Sequence, residues 1–226
     1  MELIYKGKTK DVYRLADGTI NLKFKDDVTG EDGVFDPGAN TVGLTLEGAG
    51  KSGLKVSKYF FDKLHKDDIP THFLNADLND CSMHVKDAKM FGNGLEVICR
   101  YKAVGSFHRR YGQYCEEGQN LPEFIEVTLK DDKRNDPPIS KDGLVMLNIL
   151  NENEFEEIKQ LTKQISRLVK NELSKKGLEL YDIKLEFGKD ANNKIMLIDE
   201  VSGGNMRVYK GNKYIEPLKL EPLLFE

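Results

Sequence analysis

The sequence predicts an α+β fold of two lobes, and three observations carry that expectation. The first hundred residues read as short alternating strands broken by glycine-rich stretches. Residues 155–176 carry one long apolar stripe at helical spacing, and residues 181–207 read as two charged strands joined by a turn. The change of texture falls near Tyr101, so the lobes are expected at residues 1–100 and 101–226. A chain of 226 residues is long enough for one large domain or two small lobes to bury a core.

In the first lobe, residues 5–15 and 19–25 alternate around Ala16-Asp17-Gly18, which predicts a hairpin. Residues 29–53 are rich in glycine and lack periodicity, so they read as a long ordered loop or a mobile lid. Residues 54–65 form a short amphipathic helix with Val56, Tyr59, Phe60 and Leu64 on one side, followed by strands at residues 82–85 and 95–101. In the second lobe, Phe155, Ile158, Leu161, Ile165, Leu168, Val169 and Leu173 make a single buried stripe. Asn153 with Glu156 reads as its capping box and Gly177 as its stop. Residues 207–226, with Pro217 and Pro222, read as an irregular tail.

Composition excludes several classes. The 34 basic and 38 acidic residues give a net charge of −4, which argues against bulk nucleic-acid binding. No apolar run reaches membrane-spanning length, and the start MELIYKGKTK lacks the apolar core of a signal peptide. Three cysteines without ligand spacing and four scattered histidines suggest reduced thiols, no zinc site and a cytoplasmic location.

The segment at residues 181–207 is the most informative. Asp182, Lys184 and Glu186 alternate with apolar residues and so share one strand face. A two-residue turn at Asn192-Asn193 places Glu186 directly opposite Asp199. Two opposed carboxylates repel, and a Mg²⁺ ion shared with phosphates is the obvious compensation. Three other segments carry charge in suggestive settings, each with a plainer reading beside it. Residues 5–13, YKGKTKDVY, combine a glycine with lysines suited to phosphates, or form a solvated basic strand. Arg100 and the Gly105-Ser106 step before Arg109-Arg110 form an anion site, or an ordinary turn before a basic helix. The run at residues 130–138 is a stiff loop presenting a carboxylate, or simply solvated.

These segments, in this order, resemble the phosphoribosylaminoimidazole-succinocarboxamide synthase (SAICAR synthetase) family. The resemblance spans about residues 3–208 and rests on GKTKDVY, FKDD at residues 24–27, IPTHF at 69–73, Arg100 with its following Ala-Val-Gly-Ser, Asp136-Pro137, DIKLEFG and IDEVS. It implies an ATP-grasp-like fold with a kinase-like N-terminal nucleotide lobe. It also implies an ATP- and Mg²⁺-dependent ligase of purine biosynthesis that joins L-aspartate to carboxyaminoimidazole ribonucleotide through an acyl phosphate. Position by position, Gly7, Lys8, Lys10 and Val12 resemble the strand covering ATP, and Lys86 and Met90 the segment framing adenine. Glu186 and Asp199 resemble the metal and nucleotide ligands. Arg100, Ser106, Lys184 and Arg207 resemble the ribonucleotide-holding groups, and Lys184, Asp182 and Asp136 the catalytic set. Small-molecule partners are implied, and a homodimer is admitted without being required. The sequence departs from the family pattern at Arg100-Tyr101, where Arg-Asn is usual, and in lacking an asparagine pair before the first helix. It also has Ser202-Gly203-Gly204 in place of Ser-Pro-Asp, and ends near Phe225 where a further helix is usual. A diverged ligase for another carboxylate and amine, a simple kinase, and a non-catalytic nucleotide-binding regulator therefore stand as alternatives.

Overall fold

The computed structural model of the chain describes residues 1–31, 34–35 and 41–226. Its elements in chain order begin β1 (Glu2–Lys6), β2 (Lys10–Arg14), β3 (Ile20–Phe24), β4 (Asp27–Glu31), β5 (Val34–Phe35), β6 (Val42–Thr45) and α1 (Ala49–Lys66). There follow β7 (Phe73–Asp77), β8 (Ser82–Val85), β9 (Lys89–Met90), β10 (Leu95–Lys102), α2 (Gly105–Tyr111), β11 (Asn120–Leu129), α3 (Lys141–Met146) and α4 (Glu152–Ser174). The chain closes with β12 (Glu179–Lys189), β13 (Ile195–Ile198), β14 (Met206–Lys210), β15 (Lys213–Ile215) and α5 (Pro217–Phe225).

The smaller antiparallel sheet runs in the order β1-β2-β3-β8-β7. The β2–β3 hairpin turns at the expected place, with Lys10 opposite Phe24 and Arg14 opposite Ile20. Its β3 alternates as a half-buried strand should, with Ile20, Leu22 and Phe24 inward. Helix α1 covers that face with Leu54, Phe60, Phe61 and Leu64, and Phe61 stacks on Phe73 at 5.0 Å. The helix begins earlier than expected, just after Gly48, whose φ of 84° suits glycine. Residues 29–53 are not the single loop expected. β4 pairs with β5 and β6 there, and glycine density had hidden the strand alternation. The remainder of the expected lid, residues 32–33 and 36–40, lies outside the described residues.

The larger sheet runs β11-β10-β12-β14-β15, with β9 and β13 also paired to β12. Helix α4 closes one face, burying Ile158, Leu161, Ile165, Val169 and Leu173 in the same core as Leu180, Ile183 and Leu185 of β12. The opposite face is therefore left to Asp182, Lys184 and Glu186. The α4 cap sits two residues earlier than expected. Asn151, not Asn153, accepts from the Glu154 N–H, and Glu154 reaches back to the Asn151 N–H at 2.8 Å. Gly177 ends the following turn at φ 67°. One hydrophobic core runs continuously through both sheets.

Two further expectations need correction. Residues 207–226 are ordered as β14, β15 and α5 rather than as an irregular tail. Pro217 stands at the start of α5, where a missing N–H leaves no bond unmade. The β12–β13 register is also displaced by one residue. Glu186 faces Ile198, not Asp199, because the turn holds three residues, with Asn193 in the left-handed region at φ 61°. Asp190 Oδ1 fastens that turn by accepting the Asn192 and Lys194 N–H groups.

Candidate active site

The face of the larger sheet opposite α4 carries the charged side chains, and strand register explains their grouping. Glu96 of β10 lies opposite Glu186 of β12, Ile98 opposite Lys184, and Arg100 opposite Asp182. On the far side of β10, Glu96 faces Thr128 of β11. On the far side of β12, Asp182 faces Arg207 of β14.

Arg100 is the centre of one cluster and is only 1% exposed. Its Nε and Nη2 donate to Glu126 Oε2 at 3.0 and 2.7 Å, its Nη1 to Asp182 Oδ2 at 2.9 Å, and its Nη2 to Ser106 Oγ at 3.0 Å. Asp182 Oδ2 also accepts from Arg207 Nη1 at 2.8 Å, and Arg110 bonds the other Glu126 oxygen. Gly105 turns the chain at φ 57°, and a Cβ there would stand 2.6 Å from the Arg207 guanidinium. The glycine thus lets Arg207 lie flat under the start of α2, beside Ser106. Next to this cluster, Lys184 donates to Glu96 at 2.7 Å, and Thr128 donates to the other Glu96 oxygen at 3.0 Å. Burial opposes the Lys184 charge, but Glu96 outweighs it and the pKa rises. Asp136 borders the same cavity from a loop in which Asn135 and Asp136 are both left-handed. Burial, with the nearby Glu96 charge, raises its pKa.

The second cluster lies at the other end of β12. Lys130 donates to Glu186 at 2.7 Å, and Lys10, reaching from the smaller sheet, lies 3.0 Å from Asp199 and also bonds Glu200. Asp199 has φ 64°, outside the pleated conformation. Burial raises the Glu186 pKa, aided by Asp199 and only partly offset by Lys130. Burial also acts on Asp199, but Lys10 and Lys130 prevail and lower its pKa. The expected carboxylate pair is thus electrostatically real, although it does not arise from direct opposition across the hairpin. The carboxylates that strand register does oppose are Glu96 and Glu186. His72 of the IPTHF segment backs this end, its Nε2 2.9 Å from the Asp199 carbonyl, and burial lowers its pKa to about 4.

The Gly7–Lys10 turn leads into Lys10, whose side chain joins this second cluster. Gly7 N–H donates to the Lys10 carbonyl at 2.9 Å, and Lys25 Nζ holds the Gly7 carbonyl at 2.7 Å. Lys8 reaches across to Asp132 at 2.7 Å, and Val12 packs on the core beneath. Lys86 and Met90 sit on the connection from the smaller sheet to the larger. The Lys86 N–H bonds the His72 carbonyl, and Met90 pairs with Gly188, two residues beyond Glu186.

Of the residues singled out from sequence, Arg100, Ser106, Asp136, Asp182, Lys184 and Arg207 line one cavity. Lys10, Glu186 and Asp199 form the adjoining charged group, while Lys8 pairs with Asp132 instead. Sequence reasoning missed Glu96, Lys130, Glu126 and Glu200. Period-two alternation could have found the first three, since Glu96 shares a strand face with Arg100, and Glu126 and Thr128 lead directly to Lys130.

The sequence profile described as SAICAR synthetase matches residues 3–221. The phosphoribosylaminoimidazole-succinocarboxamide synthase of Clostridium tetani is 64% identical over 227 residues, covering all of both chains. That of Finegoldia magna is 35% identical, covering 92% of this chain and 86% of its own. Among solved structures, a SAICAR synthetase in complex with ADP matches with a TM-score of 0.82 at 31% identity, covering 94% of this chain and 87% of that one. The enzyme of Ehrlichia chaffeensis matches with a TM-score of 0.84 at 27% identity, covering 95% and 89%.

Proposed function

The chain belongs to the SAICAR synthetase family, and from that premise we propose how its two clusters act together as an ATP-dependent carbon–nitrogen ligase of purine biosynthesis. The reaction joins L-aspartate to the carboxylate of carboxyaminoimidazole ribonucleotide through an acyl phosphate. A carboxylate oxygen attacks the γ-phosphorus and ADP leaves. The amine of aspartate then attacks the activated carbonyl, and phosphate leaves as the amide forms.

The observation that carries this assignment is the adjacency of the two clusters on one sheet face. One is rich in guanidinium and hydroxyl groups, and the other pairs two half-buried carboxylates with lysines from separate segments. Lys8, Lys10 and the Gly7 turn cover the ATP phosphates, and Val12, Lys86 and Met90 frame the base. Glu186 and Asp199 are suited to Mg²⁺, which takes one or two carboxylates and completes its shell with water and phosphate oxygens. When bound, the ion would offset the negative charge on the phosphoryl oxygens.

The remaining chemistry is orientation and charge. Arg207 and Ser106 hold the ribonucleotide phosphate. Arg100, bonded to Glu126, Asp182 and Ser106, fixes their directions from below. Asp182 binds both guanidiniums and keeps Arg207 aimed. Lys184 offsets the carboxylate being activated, so that it can approach a second anion. Asp136, with its raised pKa, receives the proton released by the attacking amine. In the same reading residues 1–100 serve the nucleotide and residues 101–226 the ribonucleotide and metal, with β10 supplying Glu96 and Arg100 at the boundary. A cytoplasmic location belongs with this role.

The test is ADP release with ATP, Mg²⁺, carboxyaminoimidazole ribonucleotide and L-aspartate, each omitted in turn. Turnover that needs all four is the expected result. ADP release at full rate without aspartate would overturn the ligase assignment in favour of a kinase. The regulator and diverged-ligase alternatives are not favoured, given 64% identity across the whole chain.

A further inference from the structure

We propose that Glu200 and Ser202 are positioning residues for Lys10, and that α5 keeps them in place by seating Pro217 against Gly203. The proposal rests on the reading of Lys10 as a phosphate-binding group. A lysine side chain on its flexible four-carbon stem loses rotamer entropy on being fixed. Lys10 comes from the smaller sheet and must be aimed at a site built mainly on the larger one.

Glu200 supplies the aim. One of its carboxylate oxygens is bonded by Lys10 and the other by the Ser202 hydroxyl, so the carboxylate is fixed from both ends. Ser202 is itself buried within a closed ring of bonds. Its Oγ accepts from the Gly204 N–H at 3.0 Å, and its N–H donates to Asn205 Oδ1 at 2.9 Å. Asn205 Nδ2 returns to the Glu200 carbonyl at 2.5 Å. Of the two carboxylates on Lys10, Asp199 is the one suited to the metal. Glu200 remains to hold the ammonium once Asp199 is engaged.

The ring is pressed into shape from outside. A Cβ on Gly203 would stand 2.8 Å from Pro217 Cα and 3.1 Å from the Pro217 carbonyl oxygen. These are backbone atoms of α5, not a side chain that could swing away. Helix α5 is in turn fixed to α1 by Lys55 and Glu221 at 2.6 Å and by the edge contact of Tyr59 with Phe225. The glycine that departs from the family's Ser-Pro-Asp pattern thereby has a steric reason, and α5 has a role in the site without touching substrate.

A double-mutant cycle on KM for ATP tests the idea. Glu200→Gln should raise that KM about tenfold, the loss of one charge-assisted bond, with KM for L-aspartate unchanged. Ser202→Ala should give a smaller rise in the same parameter, and Ser202→Thr should restore it. In a Lys10→Met background, Glu200→Gln should add nothing further. Full additivity, or an equal defect in aspartate KM, would overturn the positioning role. If Lys10→Met itself leaves KM for ATP unchanged, the phosphate assignment of Lys10 fails and the inference falls with it. If Lys10→Met impairs ATP use while Glu200→Gln does not, only the positioning inference fails.

Discussion

Two charged clusters share one face of the larger sheet, and they are closed in different ways. Around Arg100 the fixed element is a guanidinium whose directed donors go to Glu126, Asp182 and Ser106, and Arg100, Glu126 and Asp182 are buried. Around Glu186 and Asp199 the fixed elements are carboxylates, and the cations are lysines on long stems, one of them exposed at its surface. A planar fork bonded in several directions to buried carboxylates cannot be exchanged without dismantling the fold around it. An ammonium is a point charge that can be released to a phosphate while a metal ion takes its place. Under the proposed function, Arg100 and its carboxylates are the support beneath the groups that hold the ribonucleotide, and the second cluster exchanges its lysine counter-ions for a metal and phosphates.

The strongest way to break the distinction is to remove Arg100. Arg100→Met leaves Glu126 and Asp182 buried without their main partner and should cost about 3–5 kcal/mol of stability in urea unfolding. An equal loss in Glu186→Ala would show that the second cluster is scaffold too. Instead, Glu186→Ala should keep its unfolding midpoint and lose ADP release by about 10²–10³-fold, the usual scale for one electrostatic contact to a transition state. Lys130→Met sharpens the swap itself. With Lys130 gone, Glu186 and Asp199 lack one competing cation, so Mg²⁺ alone should raise the melting temperature of this variant by roughly 2–4 °C more than that of the parent. The smallest expected effect is a control outside both clusters. Glu172 ties α4 to α1 through Tyr59 and Lys63 and is also bonded by Lys175 at the end of α4; these bonds overcome the effect of burial and lower its pKa to about 2. Its contribution is fully present above the unfolded value of about 4.5 and is lost as pH falls towards 2. Glu172→Gln should thus cost about 1–2 kcal/mol at pH 6 and much less at pH 2.5, with turnover at neutral pH preserved.

The sequence was legible where one period dominated. The α4 stripe, the β2–β3 hairpin and the β12 alternation all appear where 3.6- or two-residue spacing predicted them. It was less legible where glycine or proline masked the pattern. Glycines hid the β4–β6 pairing in residues 29–53, and two prolines made α5 look irregular although Pro217 opens it. The site was readable as a set of types but not as a set of contacts. Arg100 reads as a free fork for an anion, yet its donors are occupied by Glu126, Asp182 and Ser106, an arrangement only tertiary packing could reveal. Lys130 was hidden in a charge run that reads as solvated, and the reach of Lys10 from the smaller sheet to Glu200 spans too much sequence to be inferred from spacing.

The three-residue turn at the far end of the β12–β13 hairpin has a consequence for how the chain can vary. Exposed loops ordinarily accept insertions and deletions with little harm. Here the loop length acts as a gauge block for the strand beyond it. Removing one residue between Asp190 and Lys194 would slide β13 by one place, turning Ile195 and Leu197 away from the core and carrying Asp199 out of reach of Lys10. Substitution at Ala191 or Asn192 should be cheap, while a change of length there should be as damaging as a mutation in the site itself.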